Sequence, residues 1–247
     1  LKGLIDVDYT FYIQKSTDLL LFLPTPGSSG FQSSYTNAGE MTNQGHEVYI
    51  GINAIRRDDF KWTVGLNWSK NTSEVTKLAV GVDEVSIEAA FGSIGSFAIV
   101  GEPLGVFYGT RWARDANDNK LIGANGLPIV ADQTGNVGNP LPNWLGGIRN
   151  TFEYKGVQLS FLFDFRNGGD IWNGTYARMN NLGVSEDSED RERTFVVDGV
   201  YAPGTVIDGN DVSGQANSTE ISANSYWRQV EGDAGGAAEQ FVETVNW

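Results

Sequence analysis

Residues 44–71 read QGHEVYIGINAIRRDDFKWTVGLNWSKN, two runs of alternating polar and apolar residues joined by the charged segment 56–59. A period of two places successive side chains on opposite faces of a β-strand. The charged segment is too short for any connection other than a hairpin turn. The stretch therefore predicts two antiparallel strands, near 44–55 and 61–71, each with one apolar and one polar face.

The composition of the two faces separates a membrane hairpin from a hairpin in a soluble β-sandwich, which alternates in the same way. Trp62 and Trp68 stand near the two ends of the apolar run, as in an aromatic girdle. The polar face carries Gly, Asn and Thr in place of the Lys and Glu of a solvated sheet. A run of about ten residues tilted by ~45° spans an apolar band of ~25 Å. These features favour transmembrane strands and leave the soluble sandwich as the alternative.

The overall composition excludes several classes of function. The chain of 247 residues has a formal net charge of −14, from 17 Lys and Arg against 31 Asp and Glu. Such an acidic surface does not suit nucleic acid, whose phosphates require basic partners. The lack of Cys excludes disulfides and thiolate metal sites. No apolar run approaches the ~20 residues of a membrane helix, whereas membrane strands need only alternate apolar residues.

The same alternation predicts two more hairpins. The six expected strands pair as 4–14 with 18–24, 44–55 with 61–71, and 146–154 with 157–167. The turns within hairpins, at 15–18, 56–59 and 154–156, are short, whereas the connecting loops 24–43, 72–145 and 168–247 are long. Short turns at one end and long loops at the other are typical of an outer-membrane barrel. We therefore expect an all-β fold, an antiparallel transmembrane β-barrel portion. Its last loop contains a charged patch at 185–193 that is compatible with a helix.

Segment 37–47, NAGEMTNQGHE, resembles the N-x-G-E-M-x-N-x-G-x-E signature of the SusC/RagA family of TonB-dependent outer-membrane transporters. The matching residues are Asn37, Gly39, Glu40, Met41, Asn43, Gly45 and Glu47. Further segments similar to this family follow in the family's order: GEPLG at 101–105, FYG at 107–109, GNPLPNW at 138–144, FLFDFRNGGDIWNG at 161–174 and YW at 226–227. His46 departs from the pattern, because an apolar residue is more usual there.

The resemblance implies a plugged barrel of about 22 strands, of which this chain is a late, C-terminal portion. It implies import of oligosaccharides or peptides across the outer membrane of a Gram-negative bacterium. A SusD-like surface lipoprotein is the expected partner, and the TonB complex is contacted through regions outside this chain. Neither a cofactor nor an enzymatic activity is implied. The alternative function is that of a soluble β-sandwich module that binds glycans.

Six side chains are candidate ligand contacts. Indoles in the predicted loops can stack on sugar rings, or each can anchor the packing of its own loop. Two charged side chains share the polar face of the last predicted strand, where they can bind a polar ligand or pair with neighbouring strands or the plug. The candidates are Trp112, Trp144, Trp172 and Trp227 in the loops, and Asp164 and Arg166 on the strand.

Three other patterns fit ordinary surface roles better than functional ones. His46, the single histidine, is expected at the rim of the aromatic girdle. Segment 115–119 has the D-x-N-x-N spacing of a calcium loop, but Lys120 replaces the turn glycine and Gly126 the bidentate glutamate, which favours a polar turn. Interleaved arginines make the acidic patch 187–192 a solvated face. The sequence shows no nucleophile–base pair, and neither an enzyme nor a metal site is expected.

The asymmetry of loop length predicts the topology in the membrane. In the full-length protein on intact cells, a membrane-impermeant thiol reagent should modify an Asn125→Cys variant and spare Asp58→Cys, because long loops face outward and short turns face the periplasm. Both variants should label equally after the outer membrane is permeabilised. The opposite pattern on intact cells would invert the topology.

Overall fold

A computed structural model describes residues 3–91, 94–230 and 236–246. In chain order its strands are β1 (Ile5–Pro24), β2 (Ser33–Arg56), β3 (Phe60–Leu78), β4 (Glu84–Phe91), β5 (Ile94–Ile99), β6 (Val106–Gly109), β7 (Leu121–Ile122), β8 (Gly135–Gly138), β9 (Trp144–Tyr154), β10 (Val157–Asn167), β11 (Asp170–Trp172), β12 (Thr194–Val196), β13 (Val200–Tyr201), β14 (Val206–Ile207), β15 (Asn210–Asp211), β16 (Glu220–Ser222) and β17 (Val242–Thr244). The helices are α1 (Gly174–Leu182) and α2 (Ala223–Val230), with 3-10 turns at Gly27–Ser29, Glu186–Ser188 and Ala238–Phe241.

A five-stranded antiparallel sheet, in the order β1-β2-β3-β9-β10, forms the largest element. The all-β class and the antiparallel arrangement predicted from the alternation are confirmed. Each strand pairs with the next along the chain, except that β3 and β9 are separated by the insertion 79–143. The last predicted strand, 157–167, has the bounds of β10, and 146–154 lies within β9.

The hairpin predicted from 4–14 and 18–24 is wrong, because these residues form the single strand β1. Its ladder with β2 runs from Ile5, opposite Ile52, to Pro24, opposite Ser33. The polar residues taken for a turn at 15–18 form an irregularity in this ladder, where Asp18 has a φ of 58°. A bulge absorbs extra residues without reversing the chain. The sheet therefore has five long strands where six were expected.

The loop predicted at 24–43 is also shorter than expected. Residues 33–43 belong to β2, which leaves only 25–32 as the connection between β1 and β2. With 24 residues, β2 extends for ~80 Å, well beyond an apolar band of ~25 Å. The β1–β2 hairpin therefore projects past the end of the five-stranded region, and β3 accompanies it as far as Leu78.

The predicted difference between short turns at one end of the sheet and long connections at the other remains, although 15–18 is not a turn. Two short turns, 57–59 and 155–156, lie at one end of the sheet, which we call the inward end. Lys155 and Gly156 both have positive φ, 46° and 87°, as in the two-residue turns that suit the twist of a hairpin. The opposite, outward end carries the connection 25–32 and both long insertions.

The two faces of the five-stranded sheet differ in character along the whole width of the sheet. One register row of the apolar face is Val7, Ile50, Leu66, Ile148 and Phe163. The neighbouring row of the polar face is Asp8, Tyr49, Asn67, Gly147 and Asp164. Asn150, a polar residue on the apolar face, accepts a hydrogen bond of 3.2 Å from the indole nitrogen of Trp62.

Aromatic side chains border the apolar face at both ends. At the inward end Trp62 stacks on Phe152, with ring centroids 5.6 Å apart, beside the paired Phe60 and Tyr154. At the outward end Phe11 packs on His46, with centroids 5.0 Å apart, near Trp68. His46 thus lies among aromatic side chains at the outward end of the apolar face, and its place at the rim of a membrane girdle stays a prediction.

The insertion 79–143 is more ordered than the irregular loop predicted for 72–145. It contains a second sheet in the order β4-β5-β6-β8, and β3 itself occupies residues up to Leu78. A hydrophobic core joins this sheet to the projecting strands; its buried members are Leu23, Ala38, Val75, Leu78, Val85 and Ala98. The small sheet therefore covers one side of the projection beyond the apolar face.

The described residues of 168–246, which we call the outer segment, form helices and short strands where a loop was predicted. The patch 185–193 contains only the 3-10 turn at 186–188. Residues 92–93, 231–235 and 247, which belong to the predicted loops, lie outside the described residues. Within the described ranges, no helix has the length and apolar character required to cross a membrane.

Glu40 connects three strands in the projecting region. Its carboxylate lies 2.8 Å from the Lys15 ammonium and 3.4 Å from that of Lys77. The hydrogen bond with Lys15, followed by the charges of both lysines, holds the pKa of Glu40 below its usual value. The contribution to stability is therefore present above the unfolded-state pKa and is lost as the pH falls through the lowered one.

We expect Glu40→Gln to accelerate amide hydrogen exchange in the outward half of β1, because both ion pairs are lost while the shape of the side chain is kept. Residues 5–13 should be unaffected, and the parent protein should show the same change once the pH has fallen below the lowered pKa of Glu40. Hydrogen-exchange mass spectrometry measures both effects. The control is Glu74→Gln, because Glu74 makes no ion pair with a described residue. Equal exchange in the two variants would contradict the role of Glu40.

Candidate functional site

The polar face of the five-stranded sheet contains a groove of about 270 Å³. Its polar lining comes from three adjacent strands: Asp8 and Thr10 of β1, Glu47 and Tyr49 of β2, and Asn67 and Ser69 of β3. The period-2 geometry of each strand brings these residues to one face, and the antiparallel register aligns them in two rows. Carboxylates, hydroxyls and an amide are thus presented side by side, a donor and acceptor set suited to a hydrated polar ligand.

Tyrosine rings pack over glycines on this polar face. A Cβ atom on Gly45 would lie 2.5 Å from the Tyr12 ring, so only glycine accommodates the ring at this position. The Tyr12 hydroxyl donates a 3.1 Å hydrogen bond to Asn71, whose amide donates to Asn43. Two residues of the 37–47 signature, Asn43 and Gly45, therefore position Tyr12 beside the groove.

Trp144 borders a crevice next to the groove, at the point where β9 separates from β3. The ladder between these strands ends at the pair Ser69 and Leu145, and a crevice of about 110 Å³ opens beyond it, lined by Trp144, Leu141, Pro142 and Glu47 among others. Trp144 is half-buried. Among the four candidate indoles, it is the one that lies beside the polar groove.

The other three candidate tryptophans meet in one hydrophobic cluster between the insertion 79–143 and the outer segment. Trp112 is 3% exposed and its indole nitrogen donates a 3.2 Å hydrogen bond to Gln240. Trp172 and Trp227 pack against the same cluster, which also contains Ala177, Val230 and Phe241. Tyr176 contacts Trp227 and Phe241 edge to face. This arrangement corresponds to the structural alternative, in which the indoles hold the loops together.

Asp164 and Arg166 occupy the polar face of β10, as predicted, but they differ in their surroundings. Arg166 is half-buried, and its guanidinium donates to the backbone oxygens of Gly168, at 3.1 Å, and Pro140, at 2.8 Å. It therefore fastens the start of the outer segment to residues that precede β9. Asp164 is exposed on the same row as Asp8 and remains accessible from the polar face.

Asp170 and Asn246 complete this junction. The Asp170 carboxylate accepts hydrogen bonds of 2.7 Å from the Asn139 amide and from the Thr244 hydroxyl. The Asn246 side chain accepts from the Gly168 amide at 2.8 Å. Three distant stretches of chain, near 140, 168 and 245, are thus joined where the sheet meets the outer segment, which accounts for the GNPLPNW and FRNGGD segments as structural motifs.

The calcium-like segment 115–119 forms a polar turn. Asp115 accepts from the backbone amides of Asn117 and Asn119 and from the side chain of Asn119. The hydrogen bond from the Asn119 side chain is the main cause that lowers the pKa of Asp115. The described residues contain no group of three or more His, Asp or Glu side chains placed to hold a metal ion.

Sequence reasoning missed most of the groove. The sequence placed Asp8, Tyr49 and Asn67 on the polar faces of separate strands. Their proximity depends on the register between those strands, which could not be set while 15–18 was interpreted as a turn. Glu47 was assigned to the polar face of its strand and to the family signature, but not to a shared groove. The groove could have been found from the odd or even position of each residue in its alternating run, counted from the short turn at 57–59, because residues two apart share a face of the sheet.

The comparisons with known proteins all concern part of a longer protein. The chain is 31% identical to TonB-dependent receptor P26 of Formosa agariphila over 200 residues, which cover 73% of this chain and 20% of the relative. It is 27% identical to TonB-dependent receptor SusC of Bacteroides thetaiotaomicron over 174 residues, 65% of this chain and 17% of that protein. The chain thus spans about a fifth of the length of its curated relatives. These relatives are receptors and not enzymes. No protein-family model matches.

Solved structures show the same fold. The RagAB peptide transporter matches with a TM-score of 0.57 and 22% identity, over 74% of this chain and 21% of that one. The RagAB peptide importer in its closed-closed state matches with a TM-score of 0.53. At this level of identity the likeness concerns the fold alone.

The different settings of the tryptophans predict different effects of substitution in the full-length protein. Trp112→Ala should destabilise the outer segment by about 3–5 kcal/mol, because it empties a buried site, and should accelerate limited proteolysis within 168–246. Trp144→Ala should leave the proteolysis rate near that of the parent, because Trp144 lies outside this cluster. Faster proteolysis for Trp144→Ala than for Trp112→Ala would contradict these assignments.

Proposed function

This chain belongs to the SusC/RagA-like TonB-dependent receptors, and we propose on that basis that it forms a late part of the wall and outer rim of an importer in the outer membrane. The polar face of the sheet lines the path of the nutrient, and the apolar face meets lipid. The import is driven by the TonB complex, which acts through parts of the protein outside this chain.

The observation that supports this proposal is the exposed apolar face that crosses all five strands. Val7, Leu159 and Phe163 are 65%, 60% and 56% exposed. Water-soluble monomers rarely leave an apolar surface of this extent uncovered. In a barrel, lipid covers the outward face, and alternation between lipid-facing and lumen-facing residues is the expected pattern.

The alternative, a soluble sandwich, requires a second layer over this face. In the described part of the chain, the four-stranded sheet packs instead on the projecting end of β1, β2 and β3, around Leu23 and Val75. No described element packs over the register rows of the apolar face that contain Leu66 and Val64. This placement of the second sheet favours the barrel wall over the sandwich.

The groove supports a polar substrate, an oligosaccharide or a peptide. Asp8, Glu47 and Asn67 offer acceptors and donors, and Trp144 and Tyr49 offer aromatic surfaces beside them. Both substrate classes use such contacts, through hydroxyl groups or through the peptide backbone. We propose these residues, together with Asp164, as ligand contacts within the lumen.

A SusD-like lipoprotein is the proposed partner at the outward end. The projecting hairpin exposes Phe22, Phe31 and Tyr35, which are 51%, 72% and 70% accessible, and the rings of Phe22 and Tyr35 lie 4.9 Å apart. Aromatic side chains concentrated on an exposed hairpin are typical of protein interfaces. The hairpin tip is therefore the surface of this chain best suited to a lid protein.

Two neighbouring residues of β3 test the membrane assignment. In the full-length protein, Val64→Arg should reduce the amount of assembled receptor in the outer membrane, because an arginine near the bilayer midplane costs about 2–4 kcal/mol. Thr63→Arg, one position away on the polar face, should assemble near the parent level. The measurement is the heat-modifiable fraction in isolated outer membranes.

Two outcomes would contradict the proposal. The first is that Thr63→Arg assembles less well than Val64→Arg, which would exchange the two faces. The second is recovery of the parent protein in the aqueous fraction without detergent, which is expected of the soluble alternative.

A further inference from the structure

His46 and Lys70 place two basic side chains at the outward boundary of the apolar face. They are register partners on β2 and β3, and Phe11 of β1 lies opposite His46 in the same row. From Phe60 at the inward end to Lys70 the strand advances ten residues, or ~23 Å along the membrane normal at a tilt of ~45°. This distance is close to the ~25 Å of the apolar band. The pair therefore lies where hydrocarbon gives way to lipid headgroups.

None of the described carboxylates forms an ion pair with Lys70. Glu74 shares its face but lies four residues, or ~13 Å, further along β3. Glu47 follows His46 directly, so it projects from the opposite face of the strand. By contrast, the lysines further out, Lys15 and Lys77, are both engaged by Glu40.

Aromatic neighbours fix the orientation of His46. The Tyr9 hydroxyl lies 2.8 Å from Nδ1 of His46, and the Tyr9 and Phe11 rings have centroids 6.1 and 5.0 Å from the imidazole. When Tyr9 donates to Nδ1, the proton of the neutral ring is on Nε2, which is then available as a hydrogen-bond donor.

We propose that His46 and Lys70 form a binding site for the phosphate group of an outer-leaflet lipid. The ammonium and the imidazole donate to phosphate oxygens, and the acyl chains lie on the apolar face along Tyr9 and Trp68. Charge-assisted donors beside an apolar surface match the two parts of a phosphorylated lipid.

The site rests on the proposed function, because it requires the apolar face to meet lipid. The test uses the full-length receptor, purified in detergent, and its double variant His46→Leu/Lys70→Gln. Binding of bis-phosphorylated lipid A and of its dephosphorylated form is measured by native mass spectrometry and by the shift in Tm. We expect the parent to prefer the phosphorylated lipid and the double variant to bind it at least about tenfold more weakly, because two charge-assisted hydrogen bonds are lost.

Two further variants control for unrelated loss of charge. Lys155→Gln removes a lysine from the inward turn and should bind the phosphorylated lipid as the parent does. Lys70→Arg keeps the charge and should retain most of the affinity. All variants are first checked for heat-modifiable assembly, so that a loss of binding is compared among folded proteins.

Three results would overturn the proposal. These are equal binding by parent and double variant, equal binding of the two lipids by the parent, and the same Tm shift from inorganic phosphate, which would indicate a free-anion site. Each can occur while the receptor still requires detergent and assembles as a barrel, in which case the proposed function stands. Recovery of the parent without detergent would instead overturn both.

Discussion

Backbone pairing across the membrane is the constraint on which the rest of this structure depends. In hydrocarbon each unpaired backbone amide or carbonyl costs several kcal/mol, so strands that cross a bilayer must remain in continuous ladders. The β3–β9 ladder accordingly runs without interruption from Phe60 to Ser69. Only beyond Ser69 do the strands separate, and there the insertion 79–143 and the outer segment supply new partners. The place where the sheet divides thus coincides with the place where water can again satisfy the backbone.

This constraint explains which parts of the fold could be predicted from the sequence. Within the membrane, alternation is enforced on both faces, and the bounds of β10 agree with the run 157–167. Beyond the membrane, both faces of the projecting hairpin contain polar residues, so 15–18 and 33–43 read locally as a turn and a loop. Their strand character depends on cross-strand contacts, such as that between Lys15 and Glu40, and on a bulge at Asp18. Local sequence contains neither signal.

For the candidate site, too, the sequence predicted the types of residue but not which of them lie close together in the fold. The sequence identified residue types capable of contacting a sugar, but Trp112, Trp172 and Trp227 are more than fifty residues apart and meet in one cluster. Trp112 bonds to Gln240, 128 residues away. The groove residues Asp8, Glu47 and Asn67 were visible as members of polar faces. Their proximity follows only from the register of three strands, which could not be set while β1 was divided in two.

The 37–47 signature acquires a physical meaning from this geometry. Glu40 links three strands through two lysines, Asn43 bonds to Asn71, and Gly45 makes room for Tyr12. These residues build the hairpin where it leaves the membrane, and each is restricted by a specific contact. His46 lies between two such positions, and its side chain points to the opposite, lipid-facing side. A change at this position leaves the Glu40, Asn43 and Gly45 contacts intact and alters the apolar face, where His46 contacts Tyr9 and Phe11. The outward rim can therefore acquire a new lipid contact without disturbing the hairpin that supports it.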